Sequence, residues 1–227
     1  MSRNFLTPLA LTAGTTSAAP LLLQSGTNLT TAAAGAIEYD GKVIYSTPAG
    51  RGVSPSLMTY RLNSDLAGAN STASQSIFGV GLTVQSDTIY AINMVATLGK
   101  TAGGSTHSFD VSLDSGTATF NNMAISGHFA LFQAIPPTTS TLATTSVRYG
   151  IHTTSASLQY FSNISGTTRT GVLTLDGTFS VDAGGTFTPH YKLSAAPGGA
   201  YSTLSGSYIS IWPIGTAGSN TSVGPWV

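Results

Sequence analysis

From Leu173 to Val181 every second residue is apolar or glycine: Leu173, Leu175, Gly177, Phe179 and Val181 alternate with Thr174, Asp176, Thr178 and Ser180. Successive side chains point to opposite faces of a strand, so this pattern places one face on a core and the other in water. The same period recurs in Thr88–Leu98, where Tyr90, Ile92, Met94, Ala96 and Leu98 share a side. It recurs again in His107, Phe109, Val111 and Leu113, which lie opposite Ser108, Asp110 and Ser112. Val147, Tyr149 and Ile151 form another such strand, and Ser157–Asn163, Thr186–Leu193 and Ser207–Ile214 complete the later set, with Pro189 marking an edge or a bulge. Ser76–Val84 is expected to form a hairpin with Thr88–Leu98, and Thr117–Ile125 and His128–Ala134 two strands joined at Ser126-Gly127. Short turns connect these runs, at Asp114-Ser115-Gly116, Ser165–Thr168 and Asp182–Gly185, and Pro136–Thr141 makes a rim loop. Only Met58–Gln75 offers a short helix, capped by Asn63 or Ser64 and held to a turn or two by Gly68, Asn70, Ser71 and Thr72. Parallel sheets need long crossovers, which are missing from this pattern. The expected fold is therefore an all-β antiparallel β-sandwich or jelly roll of about 8–10 strands.

Ahead of this body lies a different kind of sequence. Residues 2–35 are rich in Thr, Ala, Ser, Gly and Pro, with leucine clusters at Leu9–Leu11 and Leu21–Leu23. They read as an extended arm that makes strand-like contacts without a core of its own. The arm leads into a β-hairpin, Ile37-Glu38-Tyr39 and Lys42–Tyr45, whose Asp40-Gly41 tip fits a two-residue type I′ turn. A lone hairpin buries too little apolar surface to stand by itself, so it must lie on the body, a second copy or another protein. Thr47–Pro55 is turn and linker chemistry. The chain thus divides into residues 1–54, an anchoring module, and residues 55–227, the sandwich. The candidate assembly residues are Leu21, Leu22, Leu23, Ile37, Tyr39, Val43 and Tyr45.

Charge narrows the function. Charged residues make up 7% of the chain, against roughly a quarter in an ordinary soluble domain, while Ser and Thr exceed a quarter. Eight Lys+Arg balance eight Asp+Glu, so the counterion release that drives nucleic-acid binding is missing, and no nucleic-acid or anionic-membrane partner is expected. No apolar run approaches the roughly 18 residues of a membrane-spanning helix, and Pro8, Thr7 and Thr12 interrupt what would be the apolar part of a signal peptide. The absence of Cys excludes disulfides and thiolate sites.

Catalytic chemistry finds little support. His107, His128, His152 and His190 are far apart, and no H-x-x-x-H or H-E-x-x-H pair offers two imidazoles to one metal. No G-x-S-x-G elbow supports a serine nucleophile, and Asp110, Asp114, Asp176 and Asp182 sit where strand ends and turns use Asp to cap backbone donors. The expectation is no enzyme activity, no cofactor and no metal.

Several segments carry a family resemblance. Thr27–Gly41, Tyr45–Pro48 and Arg51–Val53, followed by Gly68–Thr72, Gly116–Thr119, Ser194–Tyr201 and Ser222–Trp226, resemble in ordered succession a virion structural protein of tailed bacteriophages, of the fibre or decoration type. The resemblance implies a homotrimer made in the host cytoplasm and carried on the virion surface. Its N-terminal part would be attached to a major capsid protein or to a tail or fibre protein, and no catalytic residues are implied. The alternative is a glycan-binding receptor module for host attachment, using exposed aromatics or Asp on the loops Pro136–Thr141, Asn163–Thr168 or Ala195–Tyr201.

Overall fold

The computed structural model describes residues 11–47, 51–54, 56–113, 116–132 and 146–218. The expected turn at Asp114-Ser115, the rim loop Pro136–Thr141 and the segment Ser222–Trp226 lie outside the described residues.

The hairpin forms, with two differences from expectation. Strand β1 (Ile37–Tyr39) pairs antiparallel with β2 (Ile44–Ser46), matching Ile37 to Ser46 and Tyr39 to Ile44. The reversal therefore falls on Gly41-Lys42 instead of Asp40-Gly41. Only Gly41 takes positive φ (93°), because the Asp40 carboxylate accepts from the amides of Lys42 (2.8 Å) and Val43 (2.7 Å) and so holds the loop from its near side. The second difference is a third strand. β3 (Gly52–Ser54), within the stretch expected to be linker, pairs with β2 and gives a three-stranded sheet in the order β1-β2-β3. It satisfies backbone groups along an edge that a two-stranded hairpin would leave open.

The body contains β4 (Met58–Arg61), β5 (Leu66–Ala67), β6 (Gln75–Ser76), β7 (Leu82–Val84), β8 (Thr88–Lys100), β9 (His107–Ser112) and β10 (Phe120–Phe132). It continues with β11 (Ser146–His152), β12 (Leu158–Ile164), β13 (Arg169–Val181), β14 (Gly185–Phe187), β15 (His190–Leu193), β16 (Ser202–Thr203) and β17 (Tyr208–Thr216). Every pairing is antiparallel. The larger sheet runs β11-β10-β13-β8, and the far edge of β8 is shared by β17, which carries β4, and by β16, which carries β5. Facing it are a four-stranded sheet, β12-β9-β15-β6, and the pair β14-β7. This is the antiparallel, jelly-roll-like sandwich that the alternation predicts.

Its core is strongly aromatic. Phe109 of the smaller sheet stacks on Tyr191 at 5.2 Å and meets Phe129 of the larger sheet at 4.9 Å, while Phe179 stacks on Phe187 at 4.8 Å. Tyr90, Ile92, Met94, Ala96 and Leu98, and Leu173, Leu175, Phe179 and Val181, are all buried, as their period requires. Each such side chain contributes roughly 1.5–3 kcal/mol by leaving water, before entropy is counted.

Several local expectations are corrected. Met58–Gln75 holds no helix: Met58–Arg61 pairs with Tyr208–Ile211, so sheet pairing overrides the weak cap signal. Ser76–Val84 forms no hairpin with β8, because Gln75–Ser76 joins β15 and Leu82–Val84 joins β14, both opposite the larger sheet. Ser126-Gly127 is not a turn but the middle of the 13-residue β10. A Cβ on Gly127 would lie 1.9 Å from the Tyr160 hydroxyl, so this glycine makes room for a ring from the other sheet. Finally, β11 is an edge strand with its apolar side outward: Tyr149 is 81% exposed and Ile151 67%. Thr186–Leu193 also splits at Pro189 into β14 and β15, and Ser108 and Ser112 are buried, so β9 lacks the wet face that its alternation implied.

Candidate functional site

The N-terminal module is held together by polar clamps around a small interior. The Glu38 carboxylate accepts from the Leu29 amide (2.6 Å) and pairs with Arg51 Nε (3.0 Å), while Arg51 Nη2 donates to the Leu29 carbonyl. The Leu29 amide, with the Arg51 guanidinium, holds the Glu38 carboxyl below the usual carboxylate range against the opposing effect of burial. Backbone bonds from Gly26 to Tyr39, Gly35 to Thr47 and Thr47 to Ala36 lay the arm along the small sheet. Tyr45 donates to Asp40 Oδ2 (2.9 Å), and burial together with that carboxylate pushes its hydroxyl up to about 12. Burial pushes the Asp40 carboxyl up, but the Val43 and Lys42 amides and the Tyr45 hydroxyl outweigh it and hold the group low.

The candidate assembly residues separate into two sets. Val43 and Tyr45 are buried outside the sandwich core cluster, Tyr39 is half-buried with its hydroxyl on the Gly41 carbonyl, and Leu23 is half-buried. Leu21, Leu22 and Ile37 are exposed, Leu22 to 73%, and Leu29 beside the clamp is 49% exposed. Module and body meet through Lys42, whose ammonium reaches the carbonyls of Ser86 and Asp87. The Glu38–Arg51 clamp and Lys42 went unread in the sequence. The first needs the third strand to bring the residues together, and the second needs the β7–β8 turn to stand beside the hairpin tip.

Among the described residues no three His, Cys, Asp or Glu side chains come close enough to hold a metal ion. His107 is buried, with Nδ1 on the Ser105 carbonyl (2.8 Å) and Nε2 on the Tyr201 hydroxyl (3.0 Å), and burial draws its pKa down. His152 is also buried; Nε2 lies 3.3 Å from the Tyr160 hydroxyl, Nδ1 has no partner, and burial lowers its pKa to about 4. Asp176 accepts from Asn93 on the outer face of the larger sheet, and Asp182 from Thr119 at a turn.

Among the described residues two cavities at the sandwich margins stand out, and no carboxylate lines either one. One, of about 270 Å³, is apolar and lies between Met58, Tyr60 and Ile209 on one side and Phe78, Leu82 and Phe187 on the other. The second, of about 230 Å³, is polar, and both Arg148 and Arg169 line it.

The fold and these surfaces define an all-β sandwich carrying a clamped N-terminal strand module. No family model matches the chain, and no curated protein matches it. Among solved structures, one of infectious bursal disease virus, Gx strain, aligns at 10% identity with a TM-score of 0.18, covering 74% of this chain and 42% of that one. The chain thus spans less than half the length of that viral chain, and a superposition this loose does not establish a shared fold.

Proposed function

We propose that this chain is a non-enzymatic structural protein of a virion. In this reading it is a homotrimeric decoration, head-fibre or tail-fibre component, anchored by residues 1–54 to a major capsid protein or to a tail or fibre protein, with the sandwich facing outward. The observation that carries the reading is the exposure of Leu21, Leu22 and Ile37 on a module whose geometry is fixed by the Glu38–Arg51 clamp. Apolar side chains held out on a shaped support favour burial against a partner, at roughly 1.5–3 kcal/mol each before association costs. A surface in which hydroxyls largely replace charges fits a subunit packed among others. The second reading, a receptor module that binds glycan, draws support from the two-arginine cavity.

The test is a chain lacking residues 1–54, compared with the full chain for folding, mass in solution and incorporation into particles. The expected result is a folded sandwich that no longer joins particles, while the full chain is trimeric by light scattering. Incorporation of the shortened chain overturns the anchoring role, and a full chain that stays monomeric at micromolar concentration overturns the trimer.

A further inference from the structure

The polar cavity lies between the ends of three strands of the larger sheet and the end of β12 from the other sheet. Arg148 on β11, Phe132 on β10 and Arg169 at the start of β13 line it on one side, and Ser162, Asn163 and Ser165 on the other. Sheet order makes the site: β10 stands between β11 and β13, pairing Phe129 with Arg148 and Phe132 with Thr170, the residue after Arg169. A third cation stands close by. Lys100 pairs in register with Arg169 and donates to the carbonyls of Ala102, Gly103 and Gly166. Gly166 (φ 95°) also lets the Arg169 guanidinium lie against the turn, since a Cβ there would be 2.6 Å from Nη2.

Neither arginine has a carboxylate partner among the described residues, and Arg148 is exposed with no hydrogen bond to any of them. The adjoining segment 133–145, QAIPPTTSTLATT, holds no Asp or Glu. In a chain with eight Lys+Arg in all, three cations gather at this strand end: Lys100, held by three carbonyls, Arg169, held by the Thr168 carbonyl, and exposed Arg148. Together they make a local positive field. Guanidinium groups fit the planar oxygens of a carboxylate, hydroxyl and amide side chains match ring hydroxyls, and Phe132 supplies an apolar surface.

From this geometry we infer that the cavity between Arg148 and Arg169 binds an acidic sugar, its carboxylate on the guanidinium groups and its hydroxyls on Ser162, Asn163 and Ser165. Direction supports the assignment. Lys42 ties the anchoring module to Ser86 and Asp87, beside the Thr88 end of β8, whereas Arg169 pairs with Lys100 at the other end. Thirteen residues at about 3.3 Å each separate the two ends by roughly 40 Å. A subunit anchored through residues 1–54 carries the cavity at its far end. The inference rests on the glycan-binding reading for its biological use, but sugar binding itself does not.

The experiment titrates the full chain with D-galacturonate, D-galactose and inorganic phosphate, following amide shifts of residues 146–169 by NMR. Galactose differs from galacturonate only at C6, so it isolates the carboxylate. Galacturonate is expected to bind at least about tenfold more tightly than galactose, with shifts confined to the cavity, and Arg148→Gln is expected to weaken it about tenfold. Because Arg148 is exposed, that variant should keep its fold, which an unchanged thermal midpoint verifies. Equal binding of the two sugars, unaltered binding in Arg148→Gln, or phosphate binding as tight as galacturonate each overturns the assignment. Cell attachment is measured in parallel. Attachment that survives Arg148→Gln removes the cavity as the attachment site, whereas galacturonate binding without attachment removes the receptor reading and leaves the sugar site standing.

Discussion

Gly127→Ala adds one methyl group at the centre of β10, and its effect distinguishes a packing glycine from a permissive one. At an open strand position with ordinary φ, the change should stabilise the protein by about 0.4–1 kcal/mol, because alanine restricts the unfolded chain. Gly127 is not among the residues with positive φ. A Cβ would nevertheless lie 1.9 Å from the Tyr160 hydroxyl, 2.7 Å from Leu175 Cδ2 and 3.0 Å from Tyr160 Cζ. The ring has little room to retreat, being 4% exposed, with Phe129 edge-on at 6.3 Å and His152 at 6.0 Å. Overpacking of this kind costs about 1–3 kcal/mol, and losing the contact between Tyr160 and His152 adds about 1 kcal/mol. After the gain from the restricted unfolded chain, a net loss of about 2 kcal/mol in a chain of this length lowers the thermal midpoint by roughly 4–8 °C. Circular dichroism melts of the wild type, Gly127→Ala, Tyr160→Phe and the double variant form a complete cycle. The double variant should be less destabilised than the sum of its singles by about 1 kcal/mol, since removing the hydroxyl removes the nearest clash. A midpoint for Gly127→Ala equal to or above wild type refutes the packing argument.

Two further outcomes follow from the polar groups. The His152 pKa is about 4 in the folded chain against an ordinary value of 6.5, so the unfolded state binds the extra proton. The stability this confers is complete above pH 6.5 and is lost as pH falls towards 4, by at most about 3 kcal/mol. Urea unfolding from pH 7 to pH 4 should show that decline, and a His152→Gln chain should show a shallower one. For the clamp, Glu38→Gln or Arg51→Gln should release Leu29 and speed protease cleavage in residues 24–36, while the sandwich melts at an unchanged temperature; equal cleavage rates would show that backbone bonds alone hold the arm.

Alternation exposed the sandwich because β8 and β13 lie at the centre of a sheet with one face on the core, so Tyr90–Leu98 and Leu173–Val181 carry the signal in full. The same signal misled at β11. It shows that two faces differ without saying which is inside, and there the inward-facing residues are half-buried Gly150 and buried His152, while Arg148 on the same side stays exposed at the sheet margin. Ser126-Gly127 resembled a turn because glycine serves turns and close approaches alike, and only the opposing Tyr160 separates the two. Among the assembly candidates, Leu21, Leu22 and Ile37 lie on the surface, but Val43 and Tyr45 form the module's own interior, since a small sheet must bury something to hold its shape. Arg148 and Arg169 stand 21 positions apart in sequence (169 − 148), and only the order β11-β10-β13 joins them.

The scarcity of charge acquires a physical meaning from where the few charges lie. Lys42 joins the module that Glu38 and Arg51 clamp to the Thr88 end of β8, and Lys100, Arg148 and Arg169 gather at the other end. Between them the outer face of the larger sheet mixes apolar Ile89, Ala91, Val95 and Val172 with Asn93, Thr97, Thr174 and Thr178, and Asp176 accepts from Asn93. Covering hydroxyls and amides costs far less than covering ammonium or carboxylate groups, provided that hydrogen bonds are regained. The long side of the sandwich is thus suited to close packing beside a neighbour, and neutral surfaces do not steer approach over distance. Orientation in the proposed assembly then falls to the ends. In that assembly the clamped apolar arm would meet the support, and the positive cavity would lie clear of it, roughly 40 Å away along β8.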